Sequence, residues 1–368
     1  MNFTYRDNTL SISRYPVTNN RSLQPWNAAD ELMLEFLEKQ ELESKTITIY
    51  NDRFGFLSSF LSQFNPYLII DYKSQEKAVE LNLETNDFSL PKDHFFSPLA
   101  PVPDPVDVAL IKIPKSLDLF RLYLYQLSKS LAGDAVVVCG FMTKYFSPQM
   151  LTIAHEFFEN VEQSKAKKKS RILILKKKKA PKEISIINSI SLDNGDPATK
   201  NIQQYFGVFS ANNIDYATQY LVDHLQVKEN EQRVLDLACG NGVLANTIHN
   251  QAPDREIHLQ DDSFLAIESA KLNLDSRFAH FHYNNTLEDF EDDFFDLVVS
   301  NPPFHFEYET NIEISIDLFS QVKRCLKPGG RFLCVANQHL NYKTHLEKIF
   351  NVIKTVAESK KFVIYEAG

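Results

Sequence analysis

The chain has 368 residues, of which 43% are hydrophobic and 24% charged, the balance of a soluble globular protein with enough length for two domains; wholesale disorder and a collagen-like repeat are excluded. Four cysteines (Cys139, Cys239, Cys325, Cys334) without a CxxC pair, and no histidine cluster at zinc spacing, argue against a disulfide framework or a structural metal, and none is expected. The net charge of −9 argues against a nucleic-acid partner, but ten basic side chains and no acid fall within residues 165–182, so one positive segment sits on an otherwise acidic protein.

In chain order, a strand over 46–50 runs into Asn51-Asp-Arg-Phe-Gly55, a turn with a single glycine. A strand end at Ile69-Ile70-Asp71, a helix through Leu81-Asn82-Leu83 and a strand over 107–111 follow, the last leading into Lys112-Ile113-Pro114-Lys115. Residues 131–135 lead into the strand Val136-Val-Val138, and the strand 171–175 lies between two lysine groups, which predicts a charged hairpin. Its basic residues Lys167, Lys168, Lys169, Arg171, Lys176, Lys177, Lys178 and Lys179 are the candidates for nucleic-acid contact; a solvated hairpin is the competing reading. A polar, turn-rich join over 188–197 separates the halves and predicts domains at 1–187 and 198–368.

The second half repeats the order of the first. Strands over 233–238, 256–260, near Phe281, 296–300 and 331–337 alternate with helices, and segments at 353–357 and 361–365 close the sheet as a hairpin. Alternation of this kind predicts an α/β fold with a mainly parallel sheet covered on both faces. Leu81-Asn82-Leu83 is echoed by Leu272-Asn273-Leu274, so the expectation is two tandem Rossmann-like domains, the first degenerate.

Chemistry concentrates in the second half. Asp236-x-Ala238-x-Gly240-x-Gly242 lies between a strand and a helix, where glycines let a ligand approach the main chain, and Asp261 at the next strand end can accept from both hydroxyls of a ribose. That motif fits NAD as well as S-adenosylmethionine. Asp236 would repel a pyrophosphate, which favours the second. Asn301-Pro302-Pro303-Phe304 follows the fourth strand; two prolines stiffen the chain and leave the Asn301 amide oxygen and the Pro302 carbonyl to accept from a planar amine. Phe304 could stack on the ring bearing that amine, and His305 could touch it. Asn285 sits where an amide could meet an adenine. Guanine N2, adenine N6 and a protein glutamine amide all present such an amine, so the motif alone leaves the substrate open.

These residues, in this order, resemble the class I methyltransferases that modify guanine N2 in ribosomal RNA, the RlmG and RsmC group. Leu10-Ser-Ile-Ser-Arg-Tyr-Pro16, Trp26-Asn-Ala-Ala-Asp-Glu31, Asn51-Asp-x-Phe-Gly55 and Ile111-Lys-Ile-Pro-Lys115 resemble the RlmG amino-terminal domain more than that of RsmC. The resemblance implies S-adenosylmethionine as cofactor, 23S rRNA as partner, methylation of one of its guanines, and a first domain that helps bind the RNA. It also places Gly207-Val-Phe209-Ser210 and Asp215 in a lead-in segment near the cofactor, and makes Phe209 and Ser210 cofactor-contact candidates. Ala238 departs from the family, which usually has glycine there; weaker loop contact is expected. A cytoplasmic monomer is expected, with no membrane segment. The alternatives are an RsmC-type enzyme of 16S rRNA and a non-catalytic ribosome-assembly factor.

Overall fold

The protein is described by a computed structural model that covers residues 1–18, 20, 22–191, 201–210, 213–302 and 313–368, and the backbone alone of 305–306 and 309–310. The chain divides into two compact units, Met1–Ser185 and Ile186–Gly368.

In the first unit, seven strands form one sheet: β1 (Ile47–Tyr50), β2 (Tyr67–Ile69), β3 (Phe95–Phe96), β4 (Val106–Lys112), β5 (Leu131–Met142), β6 (Phe158–Gln163) and β7 (Ser170–Lys178), in the order β3-β2-β1-β4-β5-β7-β6. The five from β3 to β5 are parallel and the last two antiparallel. Helices α1 (Ala28–Leu37), α2 (Phe56–Phe60), α3 (Lys73–Thr85), α4 (Leu117–Ser130) and α5 (Pro148–Phe157) accompany them. α1 starts with a capping box, in which Asn27 and Asp30 each accept from the other's end of the first turn.

The second unit repeats the plan with β8 (Arg233–Leu237), β9 (Glu256–Asp261), β10 (Ala279–Tyr283), β11 (Phe295–Ser300), β12 (Leu326–Asn337), β13 (Ile353–Glu358) and β14 (Phe362–Ala367), ordered β10-β9-β8-β11-β12-β14-β13. Its helices include α6 (Tyr216–His224), α7 (Val243–Gln251), α8 (Phe264–Asn273) and α9 (Glu313–Cys325). After Arg233 every residue of β8 is buried, as a central parallel strand covered on both faces requires. Val234 joins one core with residues of α6, α7 and α8, while Leu235 and Leu237 join the other with Leu318, Phe319 and Val322 of α9.

Two strands start earlier than the sequence suggests. Residues 131–135 and 326–330, which lead into the strands beginning at Val136 and Arg331 in the sequence, belong to those strands, because Leu131 and Leu326 pair back onto Val106 and Phe295 across an irregularity in the ladder. Among the described residues no helix is long and apolar enough to cross a membrane.

Candidate cofactor and base site

The loops that carry the chemistry leave the carboxyl ends of four neighbouring parallel strands. Leu237 pairs with Gln260 on one side and Ser300 on the other, and Asp261 pairs with Tyr283, so the residues that follow β8, β9, β10 and β11 share one edge of the sheet. Chain order reverses beside β8, and ligands of open α/β sheets bind at such a point.

The turn after β8 uses its small residues for different reasons. Ala238, Gly240 and Gly242 all take positive φ, at 56°, 55° and 76°. A Cβ on Gly240 would point into open space, whereas one on Gly242 would lie 3.1 Å from Ala270 Cβ and 3.2 Å from Leu259 Cδ2. Gly240 therefore keeps a ligand's approach open, and Gly242 lets α7 pack against α8. Ala238 holds a left-handed conformation that costs an alanine roughly 1–2 kcal/mol, the physical reason glycine suits this position.

Two carboxylates organise the loop. Asp236 Oδ2 accepts from the Ala245 backbone N–H at 2.9 Å and caps α7, whose N-cap Gly242 has no side chain to do so. Asp236 Oδ1 is buried without a hydrogen-bond partner, and burial, opposed by that N–H and reinforced by the charge of Asp261, holds the carboxyl well above its ordinary range. Asp261 accepts from Gly240 N at 2.9 Å and Ser263 N at 2.8 Å, one on each oxygen. Burial pushes its pKa up to about 6 against the backbone N–H groups of Ser263, Gly240 and Asp262, and a carboxylate, with about four lone-pair sites, can still take a further donor. Asn285 Oδ1, after β10, is likewise buried and unpartnered.

The lead-in segment is tied to the same turn. Gln204 donates through Nε2 to Ser210 O at 3.2 Å and accepts through Oε1 from Asn241 Nδ2 at 2.8 Å. Ser210 has φ 65° and its hydroxyl donates to Asn213 O, while Phe209 is 63% exposed, a large apolar ring left beside the loop.

Asn301, directly after β11, is held by two neighbours. Its Nδ2 donates to Asp215 Oδ2 at 3.1 Å and to Thr218 Oγ1 at 2.9 Å. Asp215 is itself fixed as the N-cap of α6, accepting from Ala217 N at 3.0 Å and Thr218 N at 3.3 Å. Both amide protons are thus committed, which orients the amide and leaves Oδ1 as the acceptor; among the described residues nothing donates to it. Pro302 is buried. Pro303 and Phe304 lie outside the described residues, as does the side chain of His305, whose backbone pairs with Thr310 in a short hairpin.

Comparison with known proteins decides the family. Residues 1–180 match the RLMG N-terminal domain and residues 200–366 the methyltransferase small domain. Proteins described as ribosomal RNA large subunit methyltransferase G from Psychromonas ingrahamii (31% identical, 98% of this chain and 97% of the relative) and Streptomyces coelicolor (31%, 97% and 97%) align over nearly their whole length. The chain belongs to the ribosomal RNA large subunit methyltransferase G family. It is a methyltransferase, and S-adenosylmethionine is its cofactor. The solved structure of a T. thermophilus 16S rRNA N2 methyltransferase, RsmC, in complex with AdoMet and guanosine shares the fold, with TM-score 0.80 at 18% identity over 100% of this chain and 97% of the other.

The residues of this methyltransferase fit that cofactor. The open space beyond Gly240, the orphaned oxygens of Asp236 and Asn285 and the spare lone pairs of Asp261 are unmet hydrogen-bonding and packing capacity along one strand edge. The roles of Asp215 and Thr218 toward Asn301 were not visible in the sequence, where 86 and 83 residues separate them. An aspartate N-cap followed three residues on by threonine is the only local signal.

The basic segment does not form one stripe. β7 is nine residues long, so Lys167, Lys168 and Lys169 lie about 26 Å of strand away from Lys178. Lys167 and Lys168 pair with Glu35 and Glu31 of α1, while Lys178 and Lys179 donate to the carbonyls of Leu131 and His155. Arg171 pairs in the ladder opposite Phe141.

Proposed function

We propose that this enzyme methylates the exocyclic N2 amine of a guanine in 23S rRNA. The observation that carries the reading is the hold on Asn301: with its nitrogen bound by Asp215 and Thr218, its oxygen is left as the acceptor at the end of β11. Asn301 Oδ1 and the Pro302 carbonyl would each take one N–H of the substrate amine and hold its nitrogen in line for transfer. Such an amine is a weak nucleophile with a delocalised lone pair, so positioning and charge stabilisation supply most of the acceleration. S-adenosylmethionine, when bound, supplies an electrophilic methyl group on a sulfonium. Asp261 would accept from the ribose hydroxyls, Asn285 would meet the adenine, and Gly240 with Ala238 would let the cofactor lie against the main chain. Pro303 and Phe304 complete the substrate wall in this reading, Phe304 by stacking. Phe209, exposed next to the loop, adds a second aromatic surface.

The large-subunit substrate is supported by the near-complete alignment with relatives that carry that name, and by an amino-terminal half of the RLMG type. Lys169, Lys176 and Lys177, which make no ion pair among the described residues, are the members of the basic segment best placed to meet phosphates.

The test is transfer of labelled methyl from S-adenosylmethionine to unmodified 23S rRNA, followed by digestion and nucleoside analysis. N2-methylguanosine in 23S rRNA is expected; label confined to 16S rRNA, or recovered as N6-methyladenosine, would overturn the reading. Asn301→Ala is expected to lower kcat about 100- to 1000-fold while the cofactor Kd, measured by calorimetry, stays within about threefold.

A further inference from the structure

Glu256 and His258 on β9, and His280 and His282 on β10, each lie two residues apart, so each pair faces one side of its strand. The parallel register sets His258 opposite His280 and Gln260 opposite His282, which gathers all four side chains on one face of the sheet. β10 is the outermost strand, so the cluster stands at the sheet's edge.

The cluster is already organised around His258. This ring is buried against Phe290, Phe294 and Phe295, which meet it edge-on with centroids 5.7, 5.4 and 5.4 Å away. Its Nδ1 lies 2.9 Å from His282 Nε2 and its Nε2 lies 3.1 Å from Glu256 Oε1. Arg233 Nε donates to the other carboxylate oxygen, Oε2, at 2.9 Å, and so aims Oε1 at the histidine. The exposed His280 ring stacks on His258 with centroids 4.7 Å apart. One ligand atom each from Glu256, His258 and His280 falls within 4.8 Å of the others.

We propose that Glu256, His258 and His280 bind one divalent transition-metal ion of the zinc class. Bonds of about 2.0–2.1 Å at a tetrahedral angle place neighbouring ligand atoms about 3.3 Å apart, close to the 3.1 Å between Glu256 Oε1 and His258 Nε2. The ion takes the place of the proton shared by those two atoms. His258 then donates its Nδ1–H to His282 Nε2, the outer contact that fixes the ring of a metal-bound histidine. Exposure of His280 gives the ion a path from solvent and leaves the fourth position to water. Two imidazoles and one carboxylate select zinc-class ions over Mg²⁺, which prefers oxygen ligands throughout. His258 is three residues before Asp261, about 10 Å along the strand, so the ion staples the edge strand β10 to β9 and stays apart from the methyl-transfer site. The sequence reading expected no metal because no two of these histidines have finger-type spacing; strand pairing brings together residues 22 positions apart.

The test is calorimetric titration of chelator-stripped full-length protein with Zn²⁺, with Mg²⁺ as control, alongside thermal melts. One Zn²⁺ per chain is expected, with a rise in Tm of about 5 °C or more at a hundredfold excess over Kd, and no response to Mg²⁺. His280→Ala, at an exposed position, should keep the metal-free melt and weaken Zn²⁺ binding at least tenfold; Glu256→Gln should weaken it similarly. Absence of saturable Zn²⁺ binding, or affinity unchanged in His280→Ala, overturns the proposal. Thiolate charge-transfer absorption on Co²⁺ loading also overturns it, by placing the ion on cysteine.

Discussion

The two units build the same edge of the same sheet and finish it in opposite ways. Both run in the order 3-2-1-4-5-7-6, counting strands within each unit. Both turn after the first strand with a residue at positive φ, Asn51 at 58° or Ala238 at 56°, and enter the helix through a left-handed glycine, Gly55 or Gly242. An asparagine clasp recurs almost bond for bond. Asn82 Nδ2 donates to Ser13 O and Phe54 O and its Oδ1 accepts from Ser13 N, as Asn273 Nδ2 donates to Gln203 O and Asn241 O and its Oδ1 accepts from Gln203 N. The scaffold is therefore shared to the level of single side chains. What differs is what stands two residues before the helix-entry glycine. In the second unit it is Gly240, with open space beyond; in the first it is Arg53, 4% exposed, donating to Ser74 Oγ at 2.6 Å with its guanidinium over the Tyr72 ring.

The fourth strand shows the same contrast. Tyr50 pairs with Ile111 as Leu237 pairs with Ser300, so Lys112 stands where Asn301 does. Lys112 forms an ion pair with Asp30, the third residue after the α1 cap, while Asn301 contacts Thr218, the third residue after the α6 cap. An amide with its nitrogen occupied still offers an acceptor, whereas an ammonium offers none. The first unit keeps the architecture of a methyltransferase and places its own cations, Arg53 and Lys112, at the two positions proposed to meet ligands in the second.

Transplanting that filling is the most direct way to break the comparison. Gly240→Arg should raise the cofactor Kd at least 100-fold, since it places in the second unit the residue that occupies the first and adds a Cβ at positive φ. Calorimetry with a circular-dichroism check on folding measures this. Binding within tenfold of the parent would mean that the open space beyond Gly240 is not where the cofactor lies.

Next in size is the hold on Asn301. Thr218→Val keeps the shape of the side chain and the Asp215 contact but removes one acceptor from the amide. A roughly fivefold drop in kcat is expected, with cofactor Kd unchanged, since a side-chain hydrogen bond of this kind contributes about 1 kcal/mol. Loss of cofactor affinity in equal measure would instead assign Thr218 to the cofactor pocket.

Asp261 sharpens the contrast through pH. Its carboxyl has a pKa of about 6 in the fold, above its ordinary value of 3.8, so the folded chain binds more protons than the unfolded one between those values. Its ionisation therefore weakens stability as pH rises through that window, while the ribose contact proposed for it is made by the ionised form. Cofactor affinity should fall about tenfold per pH unit below 6, and Asp261→Asn should remove that slope along with much of the affinity. A flat profile from pH 5 to 8 in the parent would exclude ionised Asp261 as the ribose acceptor.

Much of this edge was legible in the sequence because it is written locally. Hydrophobic runs marked the strands, and glycines, a strand-end acid and a proline pair marked three of the loops. The remainder was hidden by distance along the chain. Asp215 and Asn301 meet only through the sheet, and His258 and His280 only through strand pairing. Arg53 looked like loss of a glycine rather than occupation of its space. The lysines misled in the opposite sense: neighbours in sequence, they are parted by the length of β7, and two of them are spent on Glu31 and Glu35.

The smallest effect tests the turn position at which both units hold a residue with a side chain at positive φ. Asn51 and Ala238 both hold positive φ, but asparagine tolerates that region through its short polar side chain while alanine has no such compensation. Asn51 also uses its side chain, donating through Nδ2 to Lys112 O at 2.9 Å, and so ties the turn to the neighbouring strand. Ala238 has only a methyl group to offer. Ala238→Gly removes the steric penalty at the cost of a more flexible unfolded chain, two terms of similar size with the first slightly larger. A gain of about 0.5–1 kcal/mol in unfolding free energy is expected from denaturant titration of the full chain, with cofactor affinity equal or up to threefold tighter as the Cβ leaves the loop. Destabilisation would show that the methyl group packs usefully in the turn.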